Sequence, residues 1–212
     1  LTLEARNKLL SSMTDDVGKL VLRDNYLQTQ ALSVSESRAA EHLQLHVRAM
    51  HMLEKSGLLN RAVEFLPNSN EIAEYQRLGR GLTRPELAVM LAYAKIWLSE
   101  QLLSSDLPDA AYMHSDLVSY FPEALQKKFP NDIAKHQLAR EIIATAVTNS
   151  TVNRGGTNFI FAMTDQTGEN AASVTRAYVV VREAFQLRDL WKQIESLDNR
   201  VAAKTQTHMH SV

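Results

Sequence analysis

The sequence has 212 residues, of which 45% are hydrophobic and 22% are charged, and its formal net charge is −1. This composition lies close to the globular average, so a wholly disordered chain is excluded. The balanced charge provides no basic surface for nucleic acid or for an anionic membrane. There is no cysteine, which excludes disulfides, zinc–thiolate sites and cysteine nucleophiles and is consistent with the reducing cytoplasm.

The chain starts with LTLEARNKLL, without an initiator methionine and without the basic lead and apolar segment of a secretory signal. We therefore expect a cytoplasmic fragment of a longer protein. The longest apolar run, residues 87–98, is interrupted by Lys95. It is shorter than the roughly 20 residues that a membrane-spanning helix needs, so we expect no membrane segment.

The first half of the chain has helical periodicity with clear helix boundaries. Thr2 or Thr14 is expected to cap the first helices, and the helix after Thr14 is expected to run to about Ser33. Ser35 is expected to start the next helix, which ends at Gly57, a residue type common just after a helix. Two short helices are predicted to follow, before and after residues 66–70.

Residues 84–103 carry the strongest helix signal. Thr83 and Glu86 have the spacing of a capping box, and Pro85 lies in the first turn, where its missing N–H has no cost. The residues beyond are apolar on nearly all sides, as in a buried helix. These features predict the central helix of the fold.

The second half of the chain is also predicted to be helical. A long helix is expected from Asn131 to Gly156, and the strand-like letters YVVV at 178–181 lie within a helical pattern. We predict an all-α fold, an irregular bundle of eight to eleven helices around the central helix at about 84–103. Residues 1–205 are expected to form a single domain and residues 206–212 a flexible tail.

Familiar catalytic motifs are absent from the sequence. There is no phosphate loop, serine elbow or HExxH motif. The letters GRGLTR at 79–84 begin like a dinucleotide loop, but Arg84 stands where the last glycine is needed and no strand precedes it. A simple turn before a helix is therefore favoured, and we assign no catalytic or cofactor-binding residue.

Histidines provide a weak metal-site pattern. His42 and His46 lie four residues apart, with His51 close behind, and that spacing can hold a metal ion. No carboxylate follows on the same face to complete three protein ligands. A half-exposed helix face is favoured over a metal site, and His208 and His210 in the predicted tail are interpreted in the same way.

Polar residues interrupt two apolar stripes. Asp24 and Gln28 fall within a stripe of the first helical region that is formed by Val17, Leu20, Leu27 and Ala31. Asn149 and Asn153 continue a stripe of the helix from Asn131 that is formed by Leu138, Ile142 and Ala146. Buried polar groups must be hydrogen-bonded or paired. The four polar residues are therefore predicted to form an internal network or a contact surface for another domain, with a ligand pocket as the alternative.

Several segments, taken in order, resemble one known family. They are LLSSMTDDVGKLVLRDNYLQTQALS, LLNRAVEFLP, GLTRPELAVMLAYAKI, DLVSYFPEAL, HQLAREIIATAVTNSTVNRGGTNFIF and LWKQIESLDNRV. Together they are similar to the C-terminal region of the large bacterial NAD-specific glutamate dehydrogenases, and the resemblance covers nearly the whole chain.

The resemblance implies a much longer parent enzyme that deaminates L-glutamate oxidatively to 2-oxoglutarate and ammonia, with NAD as the hydride acceptor. Its catalytic lysine, its catalytic aspartate and its NAD-binding Rossmann module are expected upstream, so no catalytic residue is carried over to this chain. The expected role here is that of an accessory helical domain that packs on the upstream catalytic domain or on other subunits of a homo-oligomer. A regulatory module that binds a small effector or another protein is the alternative.

Overall fold

The computed structural model describes residues 1–211, and all of its regular elements are helices. Two 3₁₀ turns, Leu107–Asp109 and Ala111–Met113, separate α4 from α5. The α-helices are α1 Leu3–Ser37, α2 Leu43–Lys55, α3 Ser69–Arg77, α4 Arg84–Leu103, α5 His114–Ser119, α6 Glu123–Lys128, α7 Pro130–Ala134, α8 Ala139–Gly155, α9 Phe159–Thr167, α10 Ala171–Ala184, α11 Leu187–Glu195 and α12 Ala203–Ser211. The predicted all-α class is confirmed, and the described residues form twelve α-helices where eight to eleven were expected.

Helix α1 is a single helix of 35 residues, about 52 Å long at 1.5 Å per residue. Thr2 caps it by accepting a hydrogen bond from the backbone N–H of Ala5 at 3.2 Å. The predicted boundaries at Thr14 and Ser35 were wrong, because both residues lie inside the helix and the Thr14 hydroxyl donates to the carbonyl of Leu10. The first half of α1 is mostly exposed, with Met13 as its buried residue, whereas Ala31 and Ser35 are buried in the second half.

Helix α4 has the predicted bounds and lies at the centre of the fold, in contact with α1, α2, α8 and α10. The Glu86 carboxylate accepts hydrogen bonds from the backbone N–H and the hydroxyl of Thr83, at 2.6 and 2.8 Å, as the predicted capping box requires. The turn before α4 passes so close to the connection between α1 and α2 that a Cβ atom on Gly81 would lie 2.0 Å from the carbonyl carbon of Ala39. Close packing thus explains the glycine in a segment that superficially resembles a dinucleotide loop.

Helix α8 starts at Ala139, and the predicted start at Asn131 belongs to the separate short helix α7. Its buried face also differs from the predicted stripe, since Leu138 is exposed and Ile142 and Ala146 are only half-buried. The buried residues of α8 are Ile143, Ala144, Val147, Thr148, Thr151, Val152 and Asn153. The helix contacts α1, α4, α5, α9 and α10. Because it is contacted on several sides, its threonines at 148 and 151 are buried, although their polarity predicts exposure to solvent.

The last described residues form a helix where the sequence predicted a flexible tail from residue 206. Helix α12 packs against α1 and α11. The Gln206 side chain donates hydrogen bonds to the carbonyl of Ile194 at 2.9 Å and to the Asp198 carboxylate at 2.6 Å. Residue 212 of the predicted tail lies outside the described residues. The extent of the domain, residues 1–205, remains a prediction.

Candidate functional site

One cluster of polar side chains joins the second half of α1 to α8, α11 and the segment between α11 and α12. We call it the α1 junction, and its members are Arg23, Tyr26, Gln30, Arg154, Glu195 and Asp198.

Arg154, in the last turn of α8, lies at the centre of the α1 junction. Its guanidinium forms an ion pair with Glu195, donates to the side-chain oxygen of Gln30 at 3.0 Å, and lies 4.7 Å from the ring centroid of Trp191. A cation is favoured at this end of a helix by the helix dipole, and an arginine packs well over an indole ring. The side chains of Arg154 and Glu195 are only 8% and 10% exposed, so each charge depends on the other for its stabilisation.

Three residues on one face of α1 complete the junction. Arg23 donates to Glu195 Oε2 at 2.8 Å, the Tyr26 hydroxyl donates to Asp198 Oδ1 at 3.0 Å, and Gln30 Nε2 donates to the Tyr26 hydroxyl oxygen at 3.1 Å. Positions 23, 26 and 30 lie on the same side of a helix because of its 3.6-residue repeat. The junction therefore fixes both the rotation and the axial position of α1 against the C-terminal helices.

The electrostatics of the junction favour the charged form of Glu195 and the neutral form of Tyr26. Burial opposes ionisation of Glu195, but hydrogen bonds from Arg154 and Arg23 outweigh it and hold the pKa of the carboxyl below its usual range. Burial, together with the adjacent Asp198 and Glu195 carboxylates, raises the pKa of Tyr26 to about 12. Near neutral pH Glu195 thus accepts from both arginines, and Tyr26 keeps the proton that it donates to Asp198.

The first residue of α4 holds α1 at a second place, nearer to its end. Arg84 donates to the hydroxyl of Ser33 at 3.2 Å, to Glu36 Oε2 at 2.9 Å and to the backbone carbonyl of Thr29 at 3.2 Å. Together with the junction, this arginine attaches the second half of α1 to the body of the fold.

A second network lies wholly within the C-terminal helices, and we call it the Arg182 network. Its members are Asp116, Ser150, Tyr178, Arg182, Glu183 and Arg188.

The Arg182 network is centred on a buried ion pair. Asp116 accepts from Arg182 at 2.8 Å and from Arg188 at 2.7 Å, so each carboxylate oxygen has a cationic partner. Arg182 also donates to Glu183 at 2.7 Å and to the Ser150 hydroxyl at 3.2 Å. The side chains of Arg182 and Asp116 are 0% and 3% exposed. Burial of such a pair is tolerable only when its hydrogen-bonding groups are satisfied, as they are here.

The residues predicted to face the core are placed differently by the structure. Asp24 lies on the exposed side of α1, so its predicted core position was wrong. Its charge acts on Lys95 of α4: burial lowers the pKa of that lysine to about 8, and the negative charge of Asp24 acts in the opposite direction. Gln28 and Asn149 are half-buried. The expectation that these residues and Asn153 form one network remains a prediction.

Asn153 is the member of the predicted set that adjoins the α1 junction. Its side chain is buried, and its Oδ1 atom has no hydrogen-bond partner among the described residues. It lines a cavity of about 20 Å³ together with Gln30, Arg154 and His210. That volume suits one water molecule rather than an organic ligand.

The histidine pair at the start of α2 has one buried and one half-buried member. His46 is buried, its Nε2 atom lies 3.2 Å from the Thr157 hydroxyl, and its Nδ1 atom has no hydrogen-bond partner within residues 1–211. Burial lowers the pKa of His46 to about 4, so it is neutral near pH 7. His42 lies beside Glu41 at 3.7 Å. Among residues 1–211, no group of three or more histidine, aspartate or glutamate side chains has a metal-binding arrangement.

The sequence reasoning missed both networks that the structure reveals. A signal for the α1 junction was present, since Arg23, Tyr26 and Gln30 have helical spacing along α1. Their partners at positions 154, 195 and 198 are far away in the chain, and only the tertiary fold brings them together. The burial of Arg182 could not be predicted from the sequence, because a lone arginine in a helix is usually exposed.

Two family models match different parts of the chain. Residues 79–212 match the model described as glutamate dehydrogenase, C-terminal, and residues 1–35 match the model described as bacterial NAD-glutamate dehydrogenase, catalytic domain. The α1 junction therefore connects a helix of the catalytic-domain match to helices of the C-terminal match. The two matches define the class: an all-α region of the glutamate dehydrogenase type. The chain belongs to the family of glutamate dehydrogenase C-terminal regions.

Relatives in three bacteria are similar over nearly the whole chain, and each is named NAD-specific glutamate dehydrogenase. The chain is 46% identical to the protein of Pseudomonas aeruginosa over 97% of its length, 41% identical to that of Halomonas elongata over 99%, and 36% identical to that of Mycobacterium tuberculosis over 94%. It spans only about 12–13% of the length of these relatives. Within residues 1–211, no helix has the length and hydropathy needed to cross a membrane.

Proposed function

We propose that this chain is the C-terminal accessory region of an NAD-specific glutamate dehydrogenase, and that it supports the catalytic domain without supplying a catalytic residue. The parent enzyme would deaminate L-glutamate oxidatively to 2-oxoglutarate and ammonia, with NAD as the hydride acceptor. The proposal rests on the location and the contacts of α1. Residues 1–35, which include nearly all of α1, match the family model of the catalytic domain, and the α1 junction and Arg84 fix the second half of α1 to the C-terminal helices.

The exposed first half of α1 supports a contact with the rest of the parent chain. Leu3, Leu10 and Val17 follow one another at seven-residue spacing and are all exposed. Such spacing places apolar side chains on one strip of a helix, and a strip of this kind is typical of packing against another element. We propose that the upstream catalytic domain packs against this strip. Assembly of the parent into a homo-oligomer and its cytoplasmic location remain predictions.

We also propose that the NAD site lies elsewhere in the parent enzyme. The described residues contain no β-strand, whereas the dinucleotide-binding fold places the pyrophosphate at the end of a parallel strand, before a helix. Placement of the NAD site elsewhere in the parent agrees with this. Catalysis also requires a base, a carboxylate clamp and a positioned nicotinamide in one cleft, and the charged groups of both networks are instead engaged with one another.

The proposal is tested by disrupting the exposed strip in the parent enzyme. The double substitution Leu10→Gln with Val17→Gln is expected to lower glutamate-dependent NADH formation, by up to about 10²-fold if α1 positions the catalytic domain. The matched control is Val180→Gln with Val181→Gln, which removes two exposed apolar side chains from α10 and is expected to leave turnover nearly unchanged.

Two results would contradict the proposal. One is equal turnover in the Leu10/Val17 variant and the unsubstituted parent. The other is glutamate-dependent NADH formation by the isolated 212-residue chain above that of a boiled sample, because the chain would then contain its own catalytic site. In the isolated chain, the Leu10/Val17 substitutions are expected to leave the melting temperature unchanged, since both side chains are exposed there.

A further inference from the structure

A groove of about 310 Å³ lies between α2 and α9, away from the α1 junction. Its size is at the lower end of the range for small-molecule sites. The groove is lined by Leu45, Arg48, His51, Met52, Lys55, Phe161, Ala162 and Asp165.

One face of α2 provides both the apolar floor and the basic rim of the groove. Positions 45, 48, 52 and 55 are separated by three or four residues, so their side chains lie along one side of the helix. Leu45 and Met52 are half-buried in the floor, whereas Arg48 and Lys55 are exposed at the rim. The result is an amphipathic wall whose two cationic side chains start about 10 Å apart along the helix axis.

The opposite wall is held rigidly by the core. Phe161 of α9 is buried, and its ring centroid lies 4.9 Å from that of Trp97 of α4. Aromatic pairs at this separation stabilise each other beyond the area that they bury. The wall formed by α9 is therefore preformed, which lowers the entropic cost of binding a ligand.

The rim charges favour an anionic ligand. Among the lining residues Arg48 and Lys55 are cationic, His51 is exposed between them, and Asp165 is the one carboxylate. Asp165 Oδ2 lies 3.6 Å from Arg48 Nε, and both side chains are more than half exposed. An exposed ion pair at this distance contributes little, so an incoming carboxylate or phosphate group can take the place of Asp165 on the guanidinium.

We propose that this groove binds a small amphipathic anion. The carboxylate or phosphate headgroup contacts Arg48 and Lys55 at the rim, and the apolar part lies over Met52 and Phe161. A volume of about 310 Å³ is small for a ligand site, so the groove suits a ligand with a short apolar part. The proposal is independent of the proposed function, since the groove contains no residue of α1 or of its junction.

The test uses the full-length parent enzyme and isothermal titration calorimetry. Octanoate and octyl phosphate serve as the anionic probes, and 1-octanol and octylammonium serve as the neutral and cationic controls with the same alkyl chain. At least one anion is expected to bind about tenfold or more tightly than either control. A preference between octanoate and octyl phosphate identifies the headgroup that the rim recognises.

Two double variants, each lacking two exposed cationic side chains, test whether the anion binds in the groove. Arg48→Gln with Lys55→Gln is expected to weaken binding of the anionic probe about tenfold or more, because it removes the charge-assisted hydrogen bonds of the rim. Arg200→Gln with Lys204→Gln removes two exposed cations outside the groove and is expected to leave the affinity unchanged.

Any of three results would overturn the proposal. The first is that neither anion binds, which is also the outcome if another segment of the parent covers the groove. The second is that 1-octanol or octylammonium binds as tightly as the anions. The third is that the Arg48/Lys55 variant retains full affinity, which would place the binding elsewhere.

Discussion

The Arg182 network and the α1 junction have similar chemistry but different surroundings. Each has an arginine–carboxylate pair at its centre, a second arginine on the same carboxylate, and a tyrosine hydroxyl nearby. The Arg182 network connects α5, α8, α10 and α11 within the C-terminal match. Its central Arg182–Asp116 pair is closed to solvent, although the outer side chains of Arg188 and Glu183 are 37% and 51% exposed. The α1 junction connects the two family matches, and its Arg23 side chain is 45% exposed.

The difference indicates two roles for buried charge in one chain. Asp116 and Arg182 have no access to water, so loss of either partner leaves an uncompensated charge inside the fold. At the junction, a displaced Arg23 can be hydrated. The Arg182 network, whose central pair is the more deeply buried, therefore stabilises the C-terminal helices as a unit. The junction, whose central pair is 8% and 10% exposed, attaches α1 through contacts that can be broken at lower cost. Four predictions, from the largest effect to the smallest, test this comparison.

The largest effect is expected at the centre of the Arg182 network. Asp116→Ala removes the carboxylate that serves both Arg182 and Arg188, and it should lower the free energy of unfolding by about 3–5 kcal/mol. Urea denaturation followed by circular dichroism measures this. The control is Asp106→Ala: that side chain is 84% exposed and pairs with Arg176, so its loss should cost less than about 1 kcal/mol. Similar losses in both variants would contradict the role of burial.

Acidification is expected to destabilise the interior through His46. Burial lowers the pKa of this histidine from 6.5 to about 4. Because the folded pKa lies below the unfolded one, the stabilisation is present above pH 6.5 and is lost as the pH falls towards 4. The loss amounts to about 3 kcal/mol over that window. Urea denaturation between pH 7.5 and 4.5 should show it in the wild type.

Histidine variants separate this interior contribution from that of the junction. His46→Gln should remove most of the loss between pH 6.5 and 4, whereas replacement of the exposed His208 by glutamine should preserve it. The remaining acid sensitivity should then reflect the other groups whose pKa lies below its usual range in the folded protein, among them His42, His210 and Glu195, because their stabilisation is lost as they become protonated. An unchanged pH profile in His46→Gln would show that His46 is not the group responsible.

At the junction, Glu195→Gln should have an intermediate effect. The substitution keeps the shape of the side chain but removes the charge that pairs with Arg154 and Arg23. We expect a loss of about 1.5–3 kcal/mol, the range for hydrogen bonds to charged groups. Hydrogen exchange should locate the increased opening in the second half of α1. A loss as large as that of Asp116→Ala would show that the junction is as closed as the Arg182 network.

The smallest effect is expected for Tyr26→Phe. This substitution removes one hydroxyl that donates to Asp198 and accepts from Gln30, and it should cost about 0.5–1.5 kcal/mol. The double variant with Glu195→Gln measures the coupling between the two contacts. A coupling energy near zero would mean that the junction consists of independent contacts rather than one network.

The sequence predicted the elements whose signals are local. Helix α4 has the predicted bounds because a capping box and a proline in the first turn define its start within a few residues. The helical state of residues 178–181 was also predicted correctly, since the period of the surrounding apolar residues outweighs the preference of valine for strands. The break between α7 and α8 was missed, because a short turn after Ala134 leaves the helical pattern almost unchanged.

The all-α class, the central helix and the family were determined by the sequence alone, because helix capping, apolar periodicity and shared motifs are properties of neighbouring residues. Which side of each helix is buried was decided only by the tertiary structure. Asp24 and Val17 share a stripe of α1 with Ala31, yet only Ala31 of the three is buried, because the other helices cover the stripe at Ala31 and leave it exposed at Val17 and Asp24. The charge networks likewise depend on residues more than 60 positions apart, and chain proximity carries no information about such pairs.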